Sequence, residues 1–96
     1  MSRFYEMSVV VSEFDKNKRI EIEEAAQAEW EFDEFKEFSG KLHASGKDNL
    51  CGGSDAEKEF AKLLAKAIIK ANGQPCKVTV RATCLEDLPS VDYSFE

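Results

Sequence analysis

The chain has 96 residues, 43% of them hydrophobic and 33% charged, a balance that excludes a disordered tail and a membrane-embedded protein and suits a single globular domain. Its net charge of −6 argues against a general affinity for nucleic acid or anionic membrane. Arg3, Glu6, Ser8, Ser12 and Glu13 interrupt the start of the chain, and no stretch approaches the ~20 apolar residues of a membrane span, so neither a signal peptide nor a transmembrane helix is expected. Three cysteines, Cys51, Cys76 and Cys84, are an odd number at wide spacings, which reads as reduced thiols and hence as a cytoplasmic protein.

Residues 4–14 come first in chain order. Tyr5, Met7, Val9 and Val11 alternate with Glu6, Ser8, Val10 and Ser12, the period of a strand with one buried face. Asp15 and Asn17 offer helix-start oxygens, and Ile22, Ala25, Ala26 and Trp30 recur at helical spacing, predicting a short helix over 16–28. The aromatic run from Trp30 to Phe38 shifts register between Phe32 and Phe35, as a bulged strand or a continuing helix would. Ser39-Gly40 is a turn signal, residues 41–45 read as a short returning strand, and 46–53 as loop.

Ser54-Asp55-Ala56-Glu57 is a capping-box pattern, in which the Ser54 oxygen accepts a first-turn N–H while Glu57 reaches back. Phe60, Leu63, Leu64, Ala67, Ile68 and Ala71 then mark the buried face of a helix over 55–72, ended by Asn72-Gly73. Cys76, Val78, Val80, Ala82 and Cys84 alternate with Lys77, Thr79, Arg81 and Thr83, predicting a strand with one polar face. A turn over 87–90 precedes Val91, Tyr93 and Phe95, which alternate as a small edge strand would. The main series is strand, helix, strand, strand, helix, strand, so the expected fold is α+β, a ferredoxin-like βαββαβ plait with both helices on one face of an antiparallel sheet. One domain spans residues 1–96.

The residues that could carry chemistry are sparse. His43 with the three cysteines has the right types for zinc, but Cys76 and Cys84 lie about 26 Å apart along one strand at ~3.3 Å per residue, so no metal or other cofactor is expected. The Leu50-Cys51-Gly52-Gly53-Ser54 loop precedes a helix N-terminus as an anion-binding loop does, yet Asp55 and Glu57 follow where a lysine would be needed, which favours a structural turn. His43 has no fixed sequence relation to a serine, cysteine or acid, and reads as an exposed strand residue; no catalytic residue is assigned and an enzyme is not expected.

Charge is the outstanding feature. Glu21, Glu23, Glu24, Glu29, Glu31, Asp33, Glu34 and Glu37 stand against Lys36 alone over residues 21–37, whereas Lys58, Lys62, Lys66, Lys70, Lys77 and Arg81 stand against Glu59 alone over 58–81. The eight acids could imitate the charge spacing of a nucleic-acid backbone and occupy a basic groove on a protein partner, or serve solubility. Lys58, Lys62, Lys66 and Lys70, with Arg81, form the alternative surface, a phosphate-tracking stripe for direct nucleic-acid binding, or the solvated back of an amphipathic helix. The polar strand face Lys77, Thr79, Arg81, Thr83 lacks the aromatics of RNA-binding sheets, and Phe4 alone adds little. A homodimer joined through open sheet faces or edge strands is a third possibility.

In size, acidity and compact plait layout the whole chain resembles the small accessory proteins of phages and other mobile elements, among them anti-CRISPR proteins. Its most distinctive pieces are Leu50-Cys51-Gly52-Gly53, Ala71-Asn72-Gly73 and the segment from Ala82 to Pro89. The resemblance implies a non-catalytic inhibitor that binds a host protein or nucleoprotein complex, in some cases as a DNA mimic.

Overall fold

The computed structural model describes the backbone of residues 2–51, 54–85 and 90–95, and the side chains of residues 4–50, 56–85 and 90–95. Five strands form one antiparallel sheet: β1 (Ser2–Ser12), β2 (Glu34–Phe38), β3 (Lys41–Cys51), β4 (Lys77–Cys84) and β5 (Val91–Phe95), in the spatial order β2-β3-β1-β4-β5. Helix α1 (Arg19–Glu29) follows a single 3₁₀ turn (Lys16–Lys18), and α2 (Ser54–Asn72) connects β3 to β4. The α+β class expected from the periodicity is present. The series does not stop at the expected βαββαβ plait, however: it is βαββαββ, and β5 adds a fifth strand beyond β4.

Alternation decides which sheet face is covered. Tyr5, Met7, Val9 and Val11 of β1, Leu42 and Ala44 of β3, and Val78, Val80, Ala82 and Cys84 of β4 are all buried on one face. Ile22, Ala26, Ala61, Leu64, Ala65 and Ile68 of the helices complete that core. Among the described residues no element covers the opposite face, which is polar because Ser8, Ser45, Thr79 and Arg81 fall there by the strand register.

Three segments differ from the sequence expectation for identifiable reasons. Residues 46–51, expected as loop, continue β3 to Cys51, and Gly46 is the reason the sequence misleads. A Cβ at Gly46 would collide with the Glu31 carbonyl oxygen and stand 2.7 Å from Phe32 Cα, so glycine here admits a crossing chain and makes no turn. That crossing chain is the aromatic run, which is neither a bulged strand nor a longer helix. It leaves α1 at Trp30, passes over β3 and becomes β2 only at Glu34. The Trp30 indole N–H donates to the Gly46 carbonyl (3.1 Å) and the Asp33 N–H to the Ser45 carbonyl (2.9 Å), pinning the crossing at two points. Phe32 is buried beneath it, while Phe38 is exposed.

The third difference concerns α2. Its buried face is turned from the expected one, with Ala61 and Ala65 inside and Leu63 exposed at 56%. The expected capping box involves Ser54, whose side chain lies outside the described residues; the Glu57 carboxylate is buried and accepts hydrogen bonds from the Tyr5 (2.8 Å) and Tyr93 (2.7 Å) hydroxyls, joining α2 to β1 and β5. At the far end Asn72 is buried, accepts from the Asp15 N–H (2.7 Å) and donates to the Gln74 carbonyl (2.8 Å), and Gly73 at φ 74° ends the helix. The β2–β3 turn, Ser39 at φ 53° and Gly40 at φ 74°, has the two positive dihedrals of a tight hairpin. The side chains of Ser54 and Asp55, and the turn expected over 87–90 up to residue 89, lie outside the described residues.

Candidate partner-binding surfaces

The eight acids of residues 21–37 fall into three groups. Glu23, Glu34 and Glu37 are engaged at home: Glu23 with Arg19 (2.6 Å), Glu34 with Lys36 (3.0 Å), and Glu37 with Arg19 (3.5 Å) and Lys16 (3.7 Å). Glu37 therefore ties the hairpin to the start of α1. Glu21 and Glu24 are exposed on α1 itself, and Glu29, Glu31 and Asp33 are exposed at its C-terminal end and along the crossing chain. These last five make no ion pair among the described residues.

Helix polarity makes the last group unusual. The partial negative charge at a helix C-terminus disfavours acids and favours bases. The last turn of α1 carries Glu29 and no base, with Glu31 and Asp33 close behind. The other end is mixed, since Glu21 stands in the first turn of α1 where an acid is favoured, while Lys16, Lys18 and Arg19 lie just before or at its start and Lys18 makes no side-chain cap. Asp15 does accept from the Asn17 N–H (2.9 Å), capping the 3₁₀ turn. Intrahelical energetics thus account for Glu21 and for Glu23, paired with Arg19, but not for Glu29.

The alternative basic surface is divided by the fold. Lys58, Lys62, Lys66 and Lys70 are all exposed along α2, on the helical side of the sheet. Arg81 lies on the uncovered side, where its guanidinium binds Asp92 of β5 through Nε (2.8 Å) and a terminal nitrogen (3.2 Å). That hydrogen bond, reinforced by the charge on Asp92, raises the Arg81 pKa, and the same bond lowers the Asp92 carboxyl. The lysine stripe and Arg81 therefore do not form one surface.

Open depressions mark the uncovered sheet face, and the one bounded by Lys36, Glu37, Phe38 and His43 at its β2 side has about 490 Å³. Another, of about 210 Å³, is lined by residues that include Ser8, Val10, Glu34, Lys36, His43 and Ser45. A third, of about 200 Å³, lies between Ser8, Val10, Thr79, Arg81 and Asp92. His43, expected to be exposed, is half-buried, with its ring 6.4 Å from that of Phe38. Among the described residues no three His, Cys, Asp or Glu side chains are placed to hold a metal ion. Cys76 and Cys84 are buried free thiols, and burial raises the Cys76 pKa, which disfavours the reactive thiolate. The side chain of Cys51 lies outside the described residues.

Sequence reasoning did not find the buried Glu57 with its two tyrosines. Desolvation, then the hydrogen bond and charge of Glu57, push the Tyr93 pKa up to about 12. The available signal was an acid at α2 position 57 beside two tyrosines on strands, but pairing them requires knowing the sheet order. Among the described residues no helix is long and apolar enough to cross a membrane. No known protein family matches this chain, and no curated protein or solved structure shows significant similarity to it.

Proposed function

We propose that the chain is a non-catalytic binding module that presents the acidic end of α1 to a basic, nucleic-acid-binding groove of a protein partner and acts there as a competitive inhibitor. The observation that carries this reading is the placement of Glu29, Glu31 and Asp33, exposed and without an ion pair among the described residues, at a helix end that disfavours negative charge. A cationic groove would relieve that repulsion while desolvating the site, so the local cost in the free protein becomes affinity in the complex. Glu21 and Glu24 extend the same charge along α1. The resemblance to anti-CRISPR and related phage or mobile-element proteins points to a host nucleoprotein complex as the target, with carboxylates standing in for phosphates. Of the ion-paired acids, Glu37 links the hairpin to the start of α1, while Glu23 and Glu34 pair within their own elements.

The test compares the wild-type chain with the triple variant Glu29→Gln/Glu31→Gln/Asp33→Asn in affinity capture from nuclease-treated bacterial lysate over a salt series. The expected result is a cationic protein retained at low salt by the wild type and lost from the variant. Equal capture by both would remove the acidic end as the binding surface. Recovery of nucleic acid alone from untreated lysate would transfer the function to the α2 lysines.

A further inference from the structure

Among the described residues no strand pairs with the outer edge of β2 or of β5, and the two edges differ in a way that bears on self-association. An exposed edge strand offers unpaired N–H and C=O groups, and folded proteins commonly protect it with lysine, proline, a bulge or short length. The β2 edge is protected by charge, since Glu34, Lys36 and Glu37 alternate with aromatics along its five residues. An antiparallel pairing of β2 with a second β2, centred on Lys36, would set one lysine directly opposite another, which is unfavourable.

The β5 edge, Val91-Asp92-Tyr93-Ser94-Phe95, has no lysine and no proline. Its single charge, Asp92, is already bound by Arg81 of the neighbouring strand at 2.8 Å, so it does little to repel an incoming strand. An antiparallel pairing centred on Tyr93 places Val91 opposite Phe95 of the second copy and Asp92 opposite Ser94, with no like charges opposed. Val91 is 43% exposed and would gain cover from such a neighbour. The strand is also held in place before any encounter, because the Tyr93 hydroxyl donates to buried Glu57 (2.7 Å) and Tyr93 and Phe95 pack against the core. A preformed strand loses little freedom on pairing.

We infer that β5 is a self-pairing edge, through which two copies of the chain join antiparallel into one continuous ten-stranded sheet about a two-fold axis at Tyr93. Such a contact is isologous and closes on itself, so it yields a dimer and not a fibre. The inference is independent of the proposed inhibitory function. The exit of α1 lies over β3, three strands from β5, so the dimer leaves both acidic ends open on opposite flanks.

Sedimentation equilibrium over a concentration series, combined with hydrogen exchange read by mass spectrometry, tests the inference on the unmodified chain. The expected result is a monomer–dimer equilibrium in which residues 91–95 gain protection as concentration rises while residues 34–38 do not. Val91→Lys should shift the equilibrium to monomer with an unchanged circular dichroism spectrum, and Phe38→Lys at the other edge should leave the dimer intact. A monomer at every concentration would overturn the inference. So would a dimer that protects 34–38 instead, or one that survives Val91→Lys with a native spectrum.

Discussion

The two helices lie side by side over one sheet, yet they are built on opposite principles. Helix α2 has 19 residues, a continuous apolar face, Lys70 in its last turn where a base is favoured, and glycine beyond its end. Each end is hooked to a neighbour, by Glu57 to two tyrosines and by Asn72 to the β1–α1 connection. Helix α1 has 11 residues, buries Ile22 and Ala26, leaves Ile20 exposed at 69%, and carries an acid and no base in its last turn, the wrong sign for that end. The difference teaches that α2 satisfies the local rules of helix stability at the end where α1 breaks them, as the proposed binding role of α1 would require. Such a departure is characteristic of functional sites, where a local rule is broken and the rest of the fold compensates.

Leu64→Ala should break the α2 side of the comparison most severely. Leu64 is fully buried, and removing it from a packed core costs about 2–5 kcal/mol, whereas Ile20→Ala on exposed α1 should stay within about 0.5 kcal/mol. Chemical denaturation of the two variants measures the contrast, and similar losses would show that the helices are equally structural.

Gly46→Ala comes next, because it attacks one of the two points at which the exit of α1 is held to β3. The new methyl group would force the Glu31–Phe32 backbone away, at a cost of about 1–3 kcal/mol, and would loosen the indole hydrogen bond to the Gly46 carbonyl. Trp30 is the sole tryptophan, so a red-shifted emission together with a lower melting temperature reports the displacement directly.

Asn72→Ala leaves the Asp15 N–H and the Gln74 carbonyl without their side-chain partner and should cost about 1–3 kcal/mol, visible as a lower denaturation midpoint. Tyr93→Phe probes the other end of α2 through pH. Because the folded pKa of Tyr93 is raised from 10.0 to about 12, its contribution is fully present below pH 10 and is lost as pH rises through 12. Wild-type stability should therefore fall more steeply than that of Tyr93→Phe between those values. Parallel curves would show that the Glu57 contact does not govern this titration.

The smallest effect has the opposite sign. Glu29→Gln and Glu31→Gln remove charges that oppose the α1 dipole, and together should stabilise the fold by about 0.3–1 kcal/mol at low ionic strength, with the gain shrinking as salt is added. Greater stability combined with weaker partner binding would mark α1 as a functional compromise. If neither changes, its charges serve solubility alone.

Much of the architecture was already legible in residue patterning. Alternation in Tyr5–Val11 and Cys76–Cys84 marks the core face of β1 and β4, and helical spacing with Asn72-Gly73 locates α2, because both patterns are local and follow directly from backbone periodicity. Composition likewise determined the separation of acidic and basic segments. Tertiary structure alone decided the rest. Gly46 reads as a loop residue until the Trp30–Phe32 chain is seen to cross it, the tyrosine contacts of Glu57 are invisible until β1 and β5 bring Tyr5 and Tyr93 to it, and Arg81 reads as part of a basic stripe until the sheet places it behind the lysines. In each case the deciding contact joins residues far apart in the chain, and period and propensity carry no information about such pairs. The sequence by itself determined β1, α2, β4 and the segregation of charge, because these follow from local pattern; only the packing of the segments decided the course of residues 30–51 and which acids remain unpaired among the described residues.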